Sequence, residues 1–446
     1  LIVANHVSFM DGILMMVSTS RLARFLVFAD FTEMWGLRSL AKLMKVIPIR
    51  STDGPKAILK ALQTAREAII NGEVVVIFAE GQLTRTGQMQ PFARGMLKIV
   101  DGTGAPIVPA YLHGMWGSIF SFRGGKVFWK WPQQLWPNPI TVRFGQPINE
   151  AKDAPEVRRA VEQLGMEEMT VTAQNTLIPY RKFNRNFKPN WKQVHVLDSA
   201  GTRLTGGTLL IGSLAMRRVL LRSVLSSNEQ NIGVLLPPSA GGCLANMALA
   251  LAGRTAVNLN YTLTDDAVNF CIKKAGIRHV LTSRRFLEKK PFAVEGAELV
   301  FLEDLKEQIS SFDKAICAAM AYALPAAVLD VLLGLHRISP QDVLTIVFTS
   351  GSTGIPKGVV LSHANVGSNI DAVDQLLQLS AKDGILGVLP FFHSFGYTAC
   401  MWLPMCYTVR AAYHFNPLDA KIVARLVQEN SMTILMATPT FLKMYI

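Results

Sequence analysis

The sequence predicts two successive α/β domains in a chain of 446 residues. Apolar runs of strand length alternate with segments of helical periodicity in the first 178 residues, and the same alternation resumes from Val194. Between them, residues 181–192 contain five basic residues and no acidic residue. We therefore predict a first domain over 1–178, a basic linker over 179–205 and a second domain over 206–446.

The composition limits the partners and the compartment. Half of the residues are hydrophobic, which excludes a disordered chain, and 45 Lys and Arg against 32 Asp and Glu give a net charge of +13. This excess favours an anionic partner such as a membrane surface or an acidic protein, whereas no recognition motif supports nucleic acid. Five scattered cysteines without a C-x-x-C pair fit reduced thiols in a cytosolic compartment and predict no zinc site.

Two further features concern the ends of the chain and a possible membrane span. It begins without Met inside a predicted strand and ends as abruptly, so we expect an internal fragment of a longer protein. The apolar stretch 315–335 is long enough to span a bilayer, but Pro325 and Asp330 lie inside it. A buried helix is the preferred interpretation of this stretch, and a membrane span is the alternative.

The first domain follows the order expected of parallel strands joined by helices. Residues 74–78 form a continuous apolar run, typical of a strand that is buried on both faces of a sheet. Residues 56–70 carry apolar side chains on one helical face and end at Asn71-Gly72. The other predicted strands are 1–4, 25–28, 46–49 and 106–110.

His6 and Asp11 form the first candidate catalytic pair, at the turn between strand 1–4 and a helical segment. On one continuous helix they would point about 140° apart, but a turn before the helix lets the carboxylate fold back onto the ring. A carboxylate on one imidazole nitrogen fixes the tautomer and makes the other nitrogen a better base for an alcohol attacking a carbonyl. The alternative is a helix start at which Ser8 or Asp11 serves only as a cap.

The segment NHVSFMD (5–11) resembles the H-x-x-x-x-D signature of the glycerolipid acyltransferase family, which transfers fatty acyl chains from thioesters to glycerolipid hydroxyls. Three later segments resemble the family's other motifs in the same order: VIPIRST (46–52), FAEGQLTR (78–85) and IVPAYL (107–112). The resemblance implies a catalytic pair and a site for the phosphate-bearing acceptor, formed by His6, Asp11, Arg50, Glu80, Gly81 and Arg85.

Departures from the family pattern affect the arginines. Ala79 stands where the family usually has proline, and Gln82-Leu83 displace the arginine of that motif to Arg85. Arg50 and Arg85 can bind a lipid phosphate through charge-assisted hydrogen bonds. The alternative for each is a solvated surface charge.

Residues 120–139 place three tryptophans among basic side chains. This combination suits a membrane interface, where aromatic rings lie at headgroup depth. The alternative is a hairpin whose aromatic rings pack on the sheet. Our hypothesis is that this segment and the basic linker dock on anionic lipid.

The second domain contains the sequence TSGSTGIPKG (349–358), directly after an apolar strand. Backbone N–H groups and hydroxyls of such a loop can surround phosphate oxygens, and Lys357 adds positive charge. It is not a P-loop, because Pro356 stands where that motif requires glycine. The segment resembles the phosphate loop of the adenylate-forming superfamily of acyl-CoA and acyl-carrier-protein synthetases, and PFFHSFG (390–396) resembles the next motif of that superfamily.

This second resemblance implies ATP and Mg²⁺ as cofactors and a carboxylate or acyl pocket lined by His393, for which a core histidine is the alternative. After residue 440 the superfamily pattern stops, before its magnesium-binding acid, its ribose-binding aspartate and its C-terminal lysine. We therefore expect the chain alone to bind ATP weakly and to form no acyl-adenylate. The implied ATP-binding residues are Thr349, Ser350, Gly351, Ser352, Thr353, Gly354 and Lys357.

The order of the two domains resembles a family of bacterial bifunctional lysophosphatidylethanolamine acyltransferases/acyl-carrier-protein synthetases. This resemblance implies a fatty acid, a lysophospholipid and the phosphopantetheine thiol of acyl-carrier protein as partners, at the cytoplasmic face of the bacterial cytoplasmic membrane. One alternative is a long-chain acyl-CoA synthetase with a non-catalytic front domain. The other is a lipid-binding scaffold without catalysis.

Overall fold

A computed structural model describes residues 1–29, 41–49, 54–125, 127–128, 139–175, 177–188, 190–349 and 355–445. The chain divides into two units, Leu1–Thr172 and Ala173–Ile446. Both units combine helices with largely parallel sheets, which confirms the predicted α/β class.

The first unit is built on one sheet. Its described strands are β1 Ile2–Ala4, β2 Ala23–Phe28, β3 Ile47–Ile49, β4 Val74–Phe78, β5 Val108–His113 and β6 Thr141–Phe144. They lie in the order β3-β2-β4-β1-β5-β6, and all neighbours are parallel except β5 and β6. Because β1 lies between β4 and β5, the segments that follow these three strands meet at one edge of the sheet, where parallel sheets place their ligand sites.

Helices cover this sheet. The helix Gly54–Ile70 buries Leu62, Ala65 and Ile69 of the predicted apolar face together with Ala61 and Ala68, whereas Leu59 of that face is 44% exposed. The described helices of the unit are α1 Asp11–Val17, α2 Gly54–Ile70, α3 Gly95–Val100 and α4 Ala154–Asn175.

The second unit contains three described sheets. Their strands are β7 Val194–Asp198, β8 Arg203–Thr205, β9 Asn231–Val234, β10 Thr255–Asn258, β11 His279–Thr282, β12 Glu298–Phe301, β13 Val343–Thr349, β14 Lys357–Ser362, β15 Gly384–Gly387, β16 Arg410–Tyr413 and β17 Ile434–Leu435. The strand orders are β10-β9-β11-β12, β13-β14 and β17-β15-β16-β7-β8. The pair β13-β14 is antiparallel, so the predicted phosphate loop closes a hairpin.

Helices surround these sheets. One of them, Ala240–Leu251, is apolar on nearly all sides and buried accordingly. In chain order the described α-helices are α5 Pro179–Phe187, α6 Gly206–Val219, α7 Ala240–Leu251, α8 Asp265–Ala275, α9 Arg284–Lys289, α10 Leu302–Gln308, α11 Ser311–Ala323, α12 Ala326–Leu332, α13 His363–Leu377, α14 Leu403–Cys406, α15 Ala420–Asn430 and α16 Pro439–Tyr445.

The structure corrects the basic linker predicted over 179–205. This stretch folds into α5, β7 and β8 and belongs to the second unit. Phe183 and Phe187, four residues apart on α5, are completely buried. The basic residues therefore line the outer face of an amphipathic helix, and charge alone was a misleading sign of a solvated linker.

The basic side chains of α5 are bound to acids elsewhere in the chain. Arg181 and Arg185 contact the buried carboxylate of Asp330, and Lys182 contacts Asp371. These three cations form ion pairs within the folded unit. Their charge is therefore partly neutralised within the fold, and the docking of this segment on anionic lipid stays a hypothesis.

The apolar stretch 315–335 is not one helix. It forms the end of α11 and all of α12, separated at Pro325, which has no N–H to continue a helix. Within the described residues, none of the helices has the length and apolar character needed to cross a membrane.

Candidate active site

His6 and Asp11 lie together at the carboxyl end of β1. Nδ1 of His6 is 2.9 Å from Oδ2 of Asp11, which also accepts the N–H groups of Val7 at 2.6 Å and Ser8 at 2.8 Å. The Ser8 hydroxyl donates to the other oxygen at 2.5 Å, and Asp11 is completely buried. A carboxylate held in this way selects the imidazole tautomer with its proton on Nδ1 and leaves Nε2 as the base.

The His6 ring is fixed on a second side by Phe78. The two rings stack with centroids 4.2 Å apart and planes 11° from parallel. The strand register explains this contact, because Ala4 of β1 pairs with Phe78 of β4, immediately before the turn. The His6 side chain is 22% exposed, and no described residue hydrogen-bonds its Nε2. Phe78 is not among the predicted site residues, although its place at the end of a strand next to β1 was a usable signal.

The loop after β4 binds the main chain of His6 on both sides. Glu80 accepts the His6 N–H at 2.7 Å through one oxygen and the Gln90 N–H at 2.7 Å through the other. The Thr84 N–H donates to the His6 carbonyl at 3.0 Å. Burial raises the pKa of the Glu80 carboxyl to about 7, against the two N–H groups that lower it. Glu80 was predicted to contact the acceptor, and its geometry fits positioning of the catalytic turn.

Hydrogen bonds from α4 also hold this loop in place. The guanidinium of Arg158 donates to the carbonyl oxygens of Met89 at 3.1 Å and Gln90 at 3.2 Å. The same side chain forms an ion pair with Glu162 one turn further along the helix. The loop that carries Glu80 is therefore held from the sheet side and from the helix side.

The raised pKa of Glu80 predicts that the stability of the chain depends on pH. The folded carboxyl keeps its proton up to about pH 7, whereas its ordinary pKa is 4.5, so the folded chain binds more protons than the unfolded chain between these values. The free energy of unfolding therefore falls as pH rises through this window, by on the order of 3 kcal/mol, and levels off above it. Glu80→Gln is expected to remove this slope, measured by hydrogen exchange of the β1 and β4 amides at pH 5 and pH 8.

The control for this measurement is Glu67→Gln, which changes an exposed carboxylate on α2. It should retain the slope of the wild-type chain. Equal slopes in wild type and Glu80→Gln would contradict the assignment of the pH dependence to Glu80.

The remaining predicted acceptor residues are described in part. Gly81 adopts a left-handed conformation, with φ of +72°, that lets the chain turn directly after Glu80. The guanidinium of Arg85 lies 4.9 Å from the centroid of the Phe122 ring. Arg50 lies outside the described residues. The structure thus brings Gly81 and Arg85 to the same strand ends as His6.

The second candidate site lies at the loop end of the β13-β14 hairpin. Thr349 and Lys357 face each other as the last described pair of the ladder, and Lys357 is exposed. A hydroxyl and an ammonium at this position suit phosphate oxygens. The other predicted ATP-binding residues lie outside the described residues: Ser350, Gly351, Ser352, Thr353 and Gly354.

The turn over 390–396 buries Phe391 and Phe392 and leaves His393 and Phe395 exposed. Phe392 is buried and packs edge-on against Tyr261, with ring centroids 4.9 Å apart, whereas His393 is exposed. Partial desolvation lowers the pKa of His393. The exposure of the ring excludes the alternative of a core histidine and leaves it available to a ligand.

Gly396 ends this turn at a point where no side chain fits. A Cβ atom there would lie 2.1 Å from the carbonyl oxygen of Pro390. We expect Gly396→Ala to force the turn open and to lower the free energy of unfolding by about 1–3 kcal/mol, the usual cost of overpacking. Urea denaturation provides the measurement.

The matched control for Gly396→Ala is Gly367→Ala, inside α13, where a new Cβ meets only Pro179 at 3.8 Å. Alanine favours a helix interior over glycine by about 1 kcal/mol, so this variant should be as stable as the wild type or more stable. Equal stability of the two variants would contradict the steric argument.

Comparison with known proteins gives two family matches. The family model described as AMP-binding enzyme matches residues 184–446. The family model described as acyltransferase matches residues 1–113, which contain the His6 turn and the loop after β4.

Similar proteins match part of the chain. 4-Coumarate–CoA ligase 4 of Arabidopsis thaliana is 26% identical over 213 residues, which are 46% of this chain and 37% of the relative. A long-chain-fatty-acid–CoA ligase of Bacillus subtilis is 22% identical over 269 residues, 54% of this chain and 46% of the relative. The chain thus spans less than half the length of these curated relatives.

Among solved structures, the inhibitor-bound N-terminal domain of FACL13 from Mycobacterium tuberculosis is similar with a TM-score of 0.50 and 20% identity. The match covers 60% of this chain and 65% of that domain. At this identity the likeness concerns the fold alone.

Proposed function

Because this chain belongs to the AMP-binding enzyme family and carries an acyltransferase domain before the matched region, we propose that it couples fatty acid activation to phospholipid acylation. In this proposal the first unit re-acylates a lysophospholipid of the lysophosphatidylethanolamine type from an acyl thioester. The second unit belongs to an ATP-dependent fatty acid:acyl-carrier-protein ligase. This is the activity of the bacterial bifunctional enzymes that the domain order resembles.

The observation that carries the proposal is the fixed His6–Asp11 pair beside Glu80. Nε2 of His6 takes the proton of the glycerol hydroxyl as its oxygen attacks the thioester carbonyl. The new C–O bond gives a tetrahedral oxyanion, which collapses by breaking the C–S bond, and the imidazolium returns the proton to the leaving thiolate. The Asp11 carboxylate stabilises the imidazolium between these steps.

The second unit contributes phosphate-binding groups to the proposal. AMP-binding enzymes use ATP and Mg²⁺, and ATP supplies the energy for activating a fatty acid carboxylate. Thr349 and Lys357 would hold its phosphate oxygens, and His393 would lie near the carboxylate. Among the described residues, no three His, Cys, Asp or Glu side chains lie close enough together to bind a metal ion, so none is assigned to Mg²⁺.

The first unit is tested by supplying long-chain acyl thioesters of acyl-carrier protein and of CoA together with lysophosphatidylethanolamine. We expect diacyl phosphatidylethanolamine, detected by mass spectrometry. Both carriers are needed in the assay because the similar curated ligases are named as CoA ligases. If neither donor yields product, the acyltransferase assignment is overturned.

The second unit is tested by ATP binding, measured by isothermal titration calorimetry. Lys357→Ala removes the exposed ammonium at the hairpin end and is expected to weaken binding at least tenfold. Lys421→Ala, which changes an exposed lysine on α15, is the control. Equal affinities of the two variants would remove Lys357 from the proposed phosphate site.

We further propose that the reaction takes place at the cytoplasmic face of a bacterial cytoplasmic membrane. A lysophospholipid is presented in a membrane, and the net charge of +13 favours an anionic surface. Co-sedimentation with vesicles should increase with the fraction of anionic lipid and decrease with salt. Binding that responds to neither would exclude this location.

A further inference from the structure

Four phenylalanine rings lie beside the catalytic turn of the first unit. The N–H of Phe9, three residues after His6, donates to the carbonyl of Phe120 at 3.1 Å. The ring of Phe9 lies 5.9 Å from that of Phe122 and 5.7 Å from that of Phe128. Phe120 meets Phe128 edge-on at 5.9 Å. We call these four residues the phenylalanine cluster.

The outermost ring of the cluster is held outward by its own backbone. Phe128 is 55% exposed and has a φ of +65°, a conformation that is rare for residues other than glycine. Its N–H donates to the Ile119 carbonyl at 2.8 Å, which fixes this conformation. More than half of this apolar ring thus stays in solvent despite its contacts with Phe9 and Phe120. Residues in such strained backbone conformations concentrate at ligand sites.

The phenylalanine cluster has a cationic end. The guanidinium of Arg85 lies over the Phe122 ring at 4.9 Å, in the range of a cation–π contact. Arg85 comes from the loop that also binds the His6 main chain through Glu80 and Thr84. A base, a cation and an exposed apolar surface are therefore next to one another at the same strand ends.

We propose that the phenylalanine cluster binds the acyl chain of the lysophospholipid acceptor, with its phosphate at Arg85 and its free hydroxyl at Nε2 of His6. This inference rests on the proposed function and names the subsite that the substrate's chain occupies. In a lysophospholipid the phosphate, the hydroxyl and the acyl chain share one three-carbon backbone. In an acyl thioester the nearest phosphate lies at the far end of the pantetheine arm, which is why a cation touching the cluster favours the acceptor.

The test is a chain-length series. kcat/KM is measured for lysophospholipid acceptors with chains of six to ten carbons, kept below their micelle concentrations, for the wild type, Phe122→Ala and Phe128→Ser. Each methylene buried on the rings increases wild-type kcat/KM by up to about fourfold. We expect each variant to lose at least tenfold with the ten-carbon acceptor and less than threefold with the six-carbon acceptor.

Two controls complete the design. Leu43→Ser changes a side chain that is 74% exposed and lies outside the cluster, and should leave the whole series unchanged. A parallel series varies the length of the acyl donor, and its dependence should be the same in wild type and variants. Equal losses for long and short acceptors, or a loss that follows donor length, would overturn the assignment.

A binding measurement separates this inference from the proposed function. Calorimetry of the ten-carbon lysophospholipid does not require turnover, and Phe128→Ser should weaken its binding at least tenfold. A wild type that binds this lipid through the cluster without transferring to it would contradict the proposed function alone. Unchanged affinity in Phe128→Ser would contradict the subsite alone.

Discussion

Replacing His6 by alanine is expected to lower kcat for transfer to lysophosphatidylethanolamine by about 10²–10⁴, the usual contribution of a positioned general base. The side chain is partly exposed and its only described polar partner is Asp11, so the variant should fold like the wild type. Rates from labelled acyl thioester and near-ultraviolet circular dichroism measure the two effects. KM should change little, because the effect lies in proton transfer.

The control for this prediction is His336→Ala, which changes an exposed histidine of the second unit. Transfer within threefold of the wild-type rate in His6→Ala would exclude the imidazole as the base. A loss in His336→Ala of similar size would show that the assay does not report the front site.

Replacing Asp330 by alanine is expected to cause a large loss of stability in the second unit. Its carboxylate is completely buried and accepts from Arg181 at 2.9 Å, Arg185 at 2.6 Å and Asn184 at 3.0 Å. Removing one partner of a buried ion pair costs about 3–5 kcal/mol. The two arginines are 30% and 35% exposed and regain some hydration, so we expect about 3 kcal/mol at most.

Urea denaturation measures this loss, with Asp304→Ala as the control. Asp304 pairs with Arg284 on the surface, where both side chains remain hydrated. The free energy of unfolding of Asp304→Ala should therefore be almost that of the wild type. A small effect of Asp330→Ala, similar to that of Asp304→Ala, would show that the Asp330 ion pairs contribute little to holding α5.

The local part of the candidate site could be predicted from sequence. His6 and Asp11 are five positions apart, so a turn and a short helix suffice to bring them together, and the structure has both. The contacts of Phe78 and Glu80 with His6 join residues more than 70 positions apart. They depend on β1 lying between β4 and β5, an order that hydrophobic patterns do not encode.

The basic segment before β7 shows the same limit in the second unit. A stretch with five basic residues and no acidic residue is a solvated stretch only when no acidic side chain from another part of the chain contacts it. Asp330 and Asp371 lie about 150 and 190 positions further along the chain than the residues they bind. The spacing of Phe183 and Phe187 was the local sign of a buried helix face, and it should have outweighed the charge.

The contact of Arg158 with the carbonyls of Met89 and Gln90 affects where the chain can be cut if the first unit is to be produced separately. The acyltransferase family match ends at residue 113, yet this guanidinium comes from a helix that begins at Ala154. A fragment cut at the end of the match would lose these hydrogen bonds to the 80–90 segment, which itself bonds the main chain of His6. A fragment that keeps this contact has to include the whole of α4, which ends at Asn175.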